Sequence, residues 1–115
     1  AVLVLELGAN DGLRGLPVAE MKKNLDAMIL QAQKAGARVL LVGIRMPPNY
    51  GQEYTREFEA AFAELAKRRK TALVPLLFDG MGEDLGKFQP DRIHPNEAAQ
   101  PILLDNVWKK LRPLL

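Results

Sequence analysis

Ala37-Arg38-Val39-Leu40-Leu41-Val42-Gly43-Ile44 is almost continuously apolar. A strand with one face in water alternates apolar and polar residues. A strand covered on both faces has no reason to alternate, so this run predicts a buried parallel strand. Two further runs, Ala1–Leu5 and Ala72–Phe78, have the same character. Three buried parallel strands need crossovers between them, and the intervening sequence must supply those as helices.

It does so. From Val18 to Ala32 the apolar positions Val18, Met21, Leu25, Met28/Ile29 and Ala32 recur at helical spacing. Pro17 suits a first helical position and Gly36 the residue just past the end. A second helix is predicted from Tyr54, Phe58, Ala61/Phe62 and Leu65, running into Lys67-Arg68-Arg69-Lys70. Cations there favour the negative end of the helix dipole, which accounts for the cluster without a phosphate ligand. A third helix is predicted from about Asn96 to Leu111, with Ala98, Ile102, Leu104, Val107/Trp108 and Leu111 apolar. Pro101 falls inside it and predicts a kink. The order strand-helix-strand-helix-strand-loop-helix implies an α/β fold: a parallel sheet with right-handed crossovers and helices on both faces. If Ala1–Leu5 is a central strand, its other neighbour is not among these residues, and an open apolar edge would invite pairing with another chain or a second copy.

Composition narrows the chemistry. The chain has 115 residues, a formal net charge of +2, one histidine, no cysteine and no serine. That length fits one domain, and 48% hydrophobic with 26% charged residues fits a packed core under an ordinary surface. Disulfides and a thiolate zinc site are excluded, and so is a serine nucleophile within these residues. No basic stripe interleaved with aromatics is present, so no nucleic-acid partner is expected. No apolar stretch approaches the ~20 residues of a membrane span. The chain opens inside an apolar run at Ala1, which leads us to expect a piece of a longer protein or a processed chain.

Ligands of open parallel sheets bind beyond the carboxyl ends of the strands. Three segments lie just past those ends. Glu6–Gly12 holds Gly8, which permits a sharp turn, and Asn10, whose amide can donate toward a developing oxyanion. Asn10-Asp11-Gly12 fits plain turn chemistry before a helix as well. Arg45–Gly51 contains Pro47, Pro48, Asn49 and Tyr50. Asp79–His94 ends at the single histidine, which stands in Asp91-Arg92-Ile93-His94-Pro95-Asn96. One turn of chain can bring the Asp91 carboxylate to one ring nitrogen of His94 and leave the other facing a cleft, as a general base requires. A helix-capping Asp beside a surface His fits the same spacing, and Pro95 and Asn96 fit a helix start under either reading.

Asp79, Glu83, Asp84, Asp91 and His94 are potential metal ligands, but neither zinc nor calcium spacing is present. Neither a phosphate loop nor a dinucleotide fingerprint occurs, so no metal and no cofactor is expected.

Taken together, Gly8-Ala9-Asn10-Asp11 after a buried strand, the Pro47-Pro48-Asn49-Tyr50-Gly51 loop, and Asp91-Arg92-Ile93-His94-Pro95 before the last helix resemble the SGNH (GDSL-like) hydrolase superfamily. The nearer likeness is to bacterial thioesterase I/lysophospholipase L1-type esterases, also called arylesterases. It spans essentially the whole chain. The resemblance implies a three-layer, flavodoxin-like parallel sheet of which three strands are present here. It implies Asn10 as an oxyanion-hole donor, His94 as catalytic base and Asp91 as its orienting carboxylate. Gly8 and the Pro47, Pro48, Asn49, Tyr50 loop would line the substrate pocket. The substrate would be an acyl ester or thioester, and the setting a bacterial periplasm or the exterior. The family's Gly-Asp-Ser-Leu block and its further oxyanion-hole Gly are both missing. The resemblance therefore implies an N-terminal segment of the same protein that carries the Ser strand and lies beside Ala1–Leu5. This chain alone is expected to be inactive, since Thr55 and Thr71, its only aliphatic hydroxyls, lie away from His94. The other class of reading is a non-catalytic flavodoxin-like fragment that pairs through its open edge.

Overall fold

The computed structural model describes residues 1–46, 48–81 and 85–115. Strands β1 (Val2–Leu5), β2 (Arg38–Val42) and β3 (Ala72–Val74) form one parallel sheet in the order β1-β2-β3. A one-turn helix α1 (Ala9–Leu13) follows β1, and α2 (Val18–Lys34) returns the chain to β2. Helix α3 (Gln52–Arg69) joins β2 to β3, and α4 (Gln100–Leu111) closes the domain. The first two connections step the same way across the sheet, so one handedness puts α2 and α3 on one face.

The register separates the two faces. Leu5 lies beside Leu41 and Leu41 beside Leu73, and this row meets Met21, Leu25 and Ile29 of α2 and Phe58, Phe62 and Leu65 of α3. Leu40 lies beside Ala72 and Val42 beside Val74, and this row meets Leu103, Val107 and Leu111 of α4. Each residue pair in β2 thus serves two cores, which is why its sequence does not alternate. The expected three layers are present. On the first face α2 and α3 are also joined by Arg69, whose guanidinium donates to both Asp26 carboxylate oxygens at 2.7 and 2.9 Å. That pairing holds the Asp26 carboxyl below its usual range, and it gives the basic cluster a structural occupation at the end of α3.

Three expectations need correction. The apolar runs are longer than the strands: Ala37–Ile44 yields Arg38–Val42, and Ala72–Phe78 yields Ala72–Val74. Pro75 has no N–H for the ladder and ends β3, and the chain rejoins β2 only through Gly43, which donates to Val74 O and accepts from Leu77 N. Pro101 does not kink a helix. Glu97–Ala99 form a 3-10 turn, and α4 begins at Gln100, so Pro101 sits in its first turn, where no N–H is missed. Pro95 does not begin a helix either: it pairs with Phe88 in an isolated antiparallel bridge.

Strand β1 has β2 on one side and no neighbour on the other among the described residues. Leu3 and Val4 remain 36% and 42% exposed, whereas Val39 and Leu40 opposite are buried. Helix α4 likewise turns Leu104 and Trp108 to solvent.

Candidate active site

Asn10 is held by its backbone. Gly8, at φ +107°, swings the chain out of β1 and into α1. A Cβ on Gly8 would come within 2.8 Å of Met21 Sδ, so helix α2 also requires glycine here. Asn10-Asp11-Gly12, whose residues also suit a turn before a helix, lie inside α1, closed by Gly12 N donating to Gly8 O and Arg14 N to Asn10 O. Two tyrosines pin the end of α1 and the bend into α2. Tyr50 donates its hydroxyl to Leu13 O at 2.5 Å, and Tyr54 donates to Leu16 O at 2.6 Å. The Asn10 side chain itself is exposed and, among the described residues, in no hydrogen bond.

His94 sits on a short two-armed loop. Phe88 and Pro95 bridge the arms, Gln89 N donates to His94 O at 2.7 Å, and Asn96 N donates to Lys87 O at 2.9 Å. At the tip Arg92 adopts φ +61°, a left-handed conformation that costs a non-glycine residue about 1 kcal/mol or more. That turn folds Asp91 back over its successors. Asp91 Oδ1 accepts the N–H groups of Ile93 and His94 at 2.9 and 3.0 Å, and Oδ2 accepts His94 Nδ1–H at 2.6 Å. The hydrogen bond from His94, aided by the two backbone N–H groups, draws the Asp91 carboxyl from its ordinary 3.8 down to about 2. A carboxylate accepts only, so the neutral imidazole carries its proton on Nδ1 and its lone pair on Nε2. That is the tautomer of a general base.

Asn10 and His94 line one open cavity of about 1850 Å³ beyond the carboxyl ends of the strands. Its walls include Glu6 after β1, Ile44, Arg45 and Met46 after β2, and Leu76, Leu77, Phe78 and Asp79 after β3. The surplus of the apolar runs over the strands is therefore cavity wall: Ile44, Leu76, Leu77 and Phe78 belong to the predicted runs, but not to the sheet. Phe88, Leu103, Leu104 and Val107 complete an apolar side that periodicity assigns only to packing or not at all. The volume exceeds the ~300–1,000 Å³ of a usual small-ligand pocket, as expected of a cleft that opens widely to solvent.

Of the other anticipated residues, Gly8 shapes the backbone under Asn10 and does not line the cavity. Pro48 opens a 3-10 turn, Pro48–Tyr50, in which Asn49 is exposed and Tyr50 is engaged with Leu13. That loop reaches the cavity through Arg45 and Met46. Pro47 lies outside the described residues, as do Glu83 and Asp84. Among the described residues no three of His, Cys, Asp and Glu are grouped to hold a metal ion. Thr55 and Thr71 have buried hydroxyls without partners and are not on the cavity wall.

Residues 1–101 match the model of the GDSL-like lipase/acylhydrolase family. The chain is 50% identical over all of its 115 residues to esterase TesA of Pseudomonas aeruginosa, of which it covers 57%. It is 37% identical over 113 residues to thioesterase 1/protease 1/lysophospholipase L1 of Escherichia coli K12, covering 98% of this chain and 54% of that protein. A crystal structure of TesA superimposes with a TM-score of 0.96 at 50% identity, over the whole of this chain and 64% of that one. The chain thus spans a little over half the length of the curated relatives it matches.

Proposed function

Because the chain belongs to the GDSL-like lipase/acylhydrolase family, we propose that it is the C-terminal portion of a serine esterase or thioesterase that works through an acyl-enzyme. One observation carries this reading: His94, oriented at 2.6 Å by the Asp91 carboxylate, shares a cavity with the unengaged amide of Asn10. His94 Nε2 removes the proton of a serine hydroxyl supplied by an N-terminal segment of the same protein. The alkoxide attacks the acyl carbonyl, and Asn10 and backbone N–H groups take the charge that develops on oxygen. His94 returns the proton to the departing alcohol or thiol, then activates the water that releases the acid. The apolar wall of Ile44, Leu76, Phe78 and Phe88 offers a place for an acyl chain.

The unpaired flank of β1, with Leu3 and Val4 exposed, supports a further strand there, and the serine-bearing segment is our assignment for it. Without that segment the 115-residue chain is inactive by this reading. We place the whole protein in a bacterial periplasm or outside the cell, on the resemblance to the thioesterase I type.

A fluorophosphonate probe tests the assignment. The complete protein is labelled and hydrolyses a p-nitrophenyl ester, turnover is lost on His94→Ala, and this chain alone stays unlabelled. Labelling of the isolated chain overturns it. The same exposed edge favours a second reading, a non-catalytic module that pairs through β1 with a partner or a second copy. A stable stoichiometric complex with no turnover in the complete protein selects that reading.

A further inference from the structure

We propose that Asn96 is a positioning residue that sets where the His94 imidazole stands in the cavity. The inference rests on the reading of His94 as the general base.

Asn96 occupies the cap position ahead of the 3-10 turn Glu97–Ala99, with extended backbone at φ −96° and ψ −173°. An asparagine at such a position ordinarily uses its side-chain oxygen to accept an N–H of the turn it precedes. This one makes no such bond. Its side chain points the other way. Nδ2 donates to Gly86 O at 2.7 Å and to Phe88 O at 3.3 Å, both on the opposite arm of the His94 loop. Two carbonyl acceptors fix the amide orientation, because the reverse one would set oxygen against oxygen. The cost is visible as well: Asn96 Oδ1 is buried with no partner. A side chain present only to begin a helical turn would avoid that cost, as serine or aspartate does when it caps.

The clasped arm is the one that is anchored to the sheet. Phe88 stacks edge-on against Phe78, with ring centroids 5.7 Å apart and planes at 85°, and Phe78 lies four residues beyond the end of β3. Asn96 stands two residues after His94. Its main chain leads into α4, where Gln100 Nε2 donates to Asn96 O at 3.1 Å. It therefore ties three bodies together: the sheet end through Phe88, helix α4, and the tip that bears the dyad. The Asp91–His94 hydrogen bonds lie wholly within the tip and make no use of Asn96. Loss of the clasp would leave the dyad formed but displaced, and a misplacement of about 1 Å is enough to cost roughly 10²-fold in rate.

The test uses the complete protein with Asn96→Asp, which keeps the shape and turns the donors into acceptors, and Asn96→Ser, which keeps one hydroxyl donor. We expect kcat for a p-nitrophenyl ester to fall roughly 10- to 100-fold in Asn96→Asp, with KM within about twofold and partial recovery in Asn96→Ser. The low-field Nδ1–H proton signal of the His94–Asp91 bond, identified by its loss in His94→Gln, is expected to persist in both variants. Undiminished kcat in Asn96→Asp overturns the proposal, as does loss of that signal together with a collapse of Tm in both variants, which would make Asn96 a residue of general stability. Full turnover in His94→Gln would instead remove the general-base reading, so the two failures are distinguishable.

Discussion

Asp91 grips His94 at two points: Oδ2 holds Nδ1–H at 2.6 Å and Oδ1 holds the backbone N–H at 3.0 Å. The carboxylate thus orients the ring and the peptide that carries it. Because both bonds close within three residues, the dyad is a local structure that needs only the left-handed turn at Arg92.

Replacing Asp91 with asparagine should reverse the ring's polarity. The amide oxygen can still accept the Ile93 and His94 N–H groups, but its NH₂ then faces Nδ1 and drives the proton to Nε2. In the complete protein we expect kcat to drop by about 10⁴-fold, the scale seen for this exchange in Ser-His-Asp hydrolases. Tm should fall only modestly, because the lost charge is exposed and the backbone N–H groups keep an acceptor. Steady-state kinetics beside a thermal melt checks both.

Asp91 also makes a pH prediction. Its carboxyl falls from 3.8 to about 2 on folding. A depressed carboxyl contributes stability that is complete above its unfolded value and is lost as pH falls through the folded one. The Asp91 contribution should therefore be intact at about pH 5 and vanish between about 4 and 2. A ¹³C titration of the Asp91 carboxyl that centres near 4 would refute the tight pairing.

Asn10→Ala should cost roughly 10²–10³ in kcat with KM little changed, the price of one oxyanion donor. The side chain is exposed and without a hydrogen bond among the described residues, so folding should be unaffected. A loss of less than about tenfold, measured with the same ester, would reduce Asn10 to a residue of the α1 backbone.

Gly8→Ala should be destabilising for two separate reasons. The position has φ +107°, and the new methyl would lie 2.8 Å from Met21 Sδ. Strain and overpacking together should cost about 2–4 kcal/mol. Chemical denaturation measures it, and Gly8→Ala with an unchanged midpoint would show that α2 gives way easily.

Tyr50→Phe removes the hydrogen bond to Leu13 O and should cost about 1 kcal/mol in unfolding free energy. In the complete protein a modest fall in kcat should accompany it, because Leu13 ends the helix that bears Asn10. Denaturation and kinetics on the same preparation check the pair.

The layers of this fold are legible because β2 is buried on both sides and says so in Val39-Leu40-Leu41-Val42. The placing of Asn10 and His94 on the wall of one cavity also agrees with the position of their loops at strand ends. The hidden features depend on contacts between distant residues. The Tyr50 hydroxyl is 37 residues from Leu13 in sequence, and no local pattern announces that bond. Periodicity runs unbroken through Asn96 and Pro101 and makes one helix of them, while the change from a 3-10 turn to an α-helix leaves no hydrophobic signature. The strand ends are overestimated for an instructive reason. A wall of a binding cleft and a buried strand ask for the same residues, and only Pro75 marks where one becomes the other.

The bare flank of β1 has a practical corollary. A strand that paired there parallel to β1 would run its carboxyl end toward the rim of the sheet where Gly8 turns the chain and the cavity opens. Under the proposed function, division of the molecule at this seam separates the base from the nucleophile, the logic of a split reporter that lights up on reassembly.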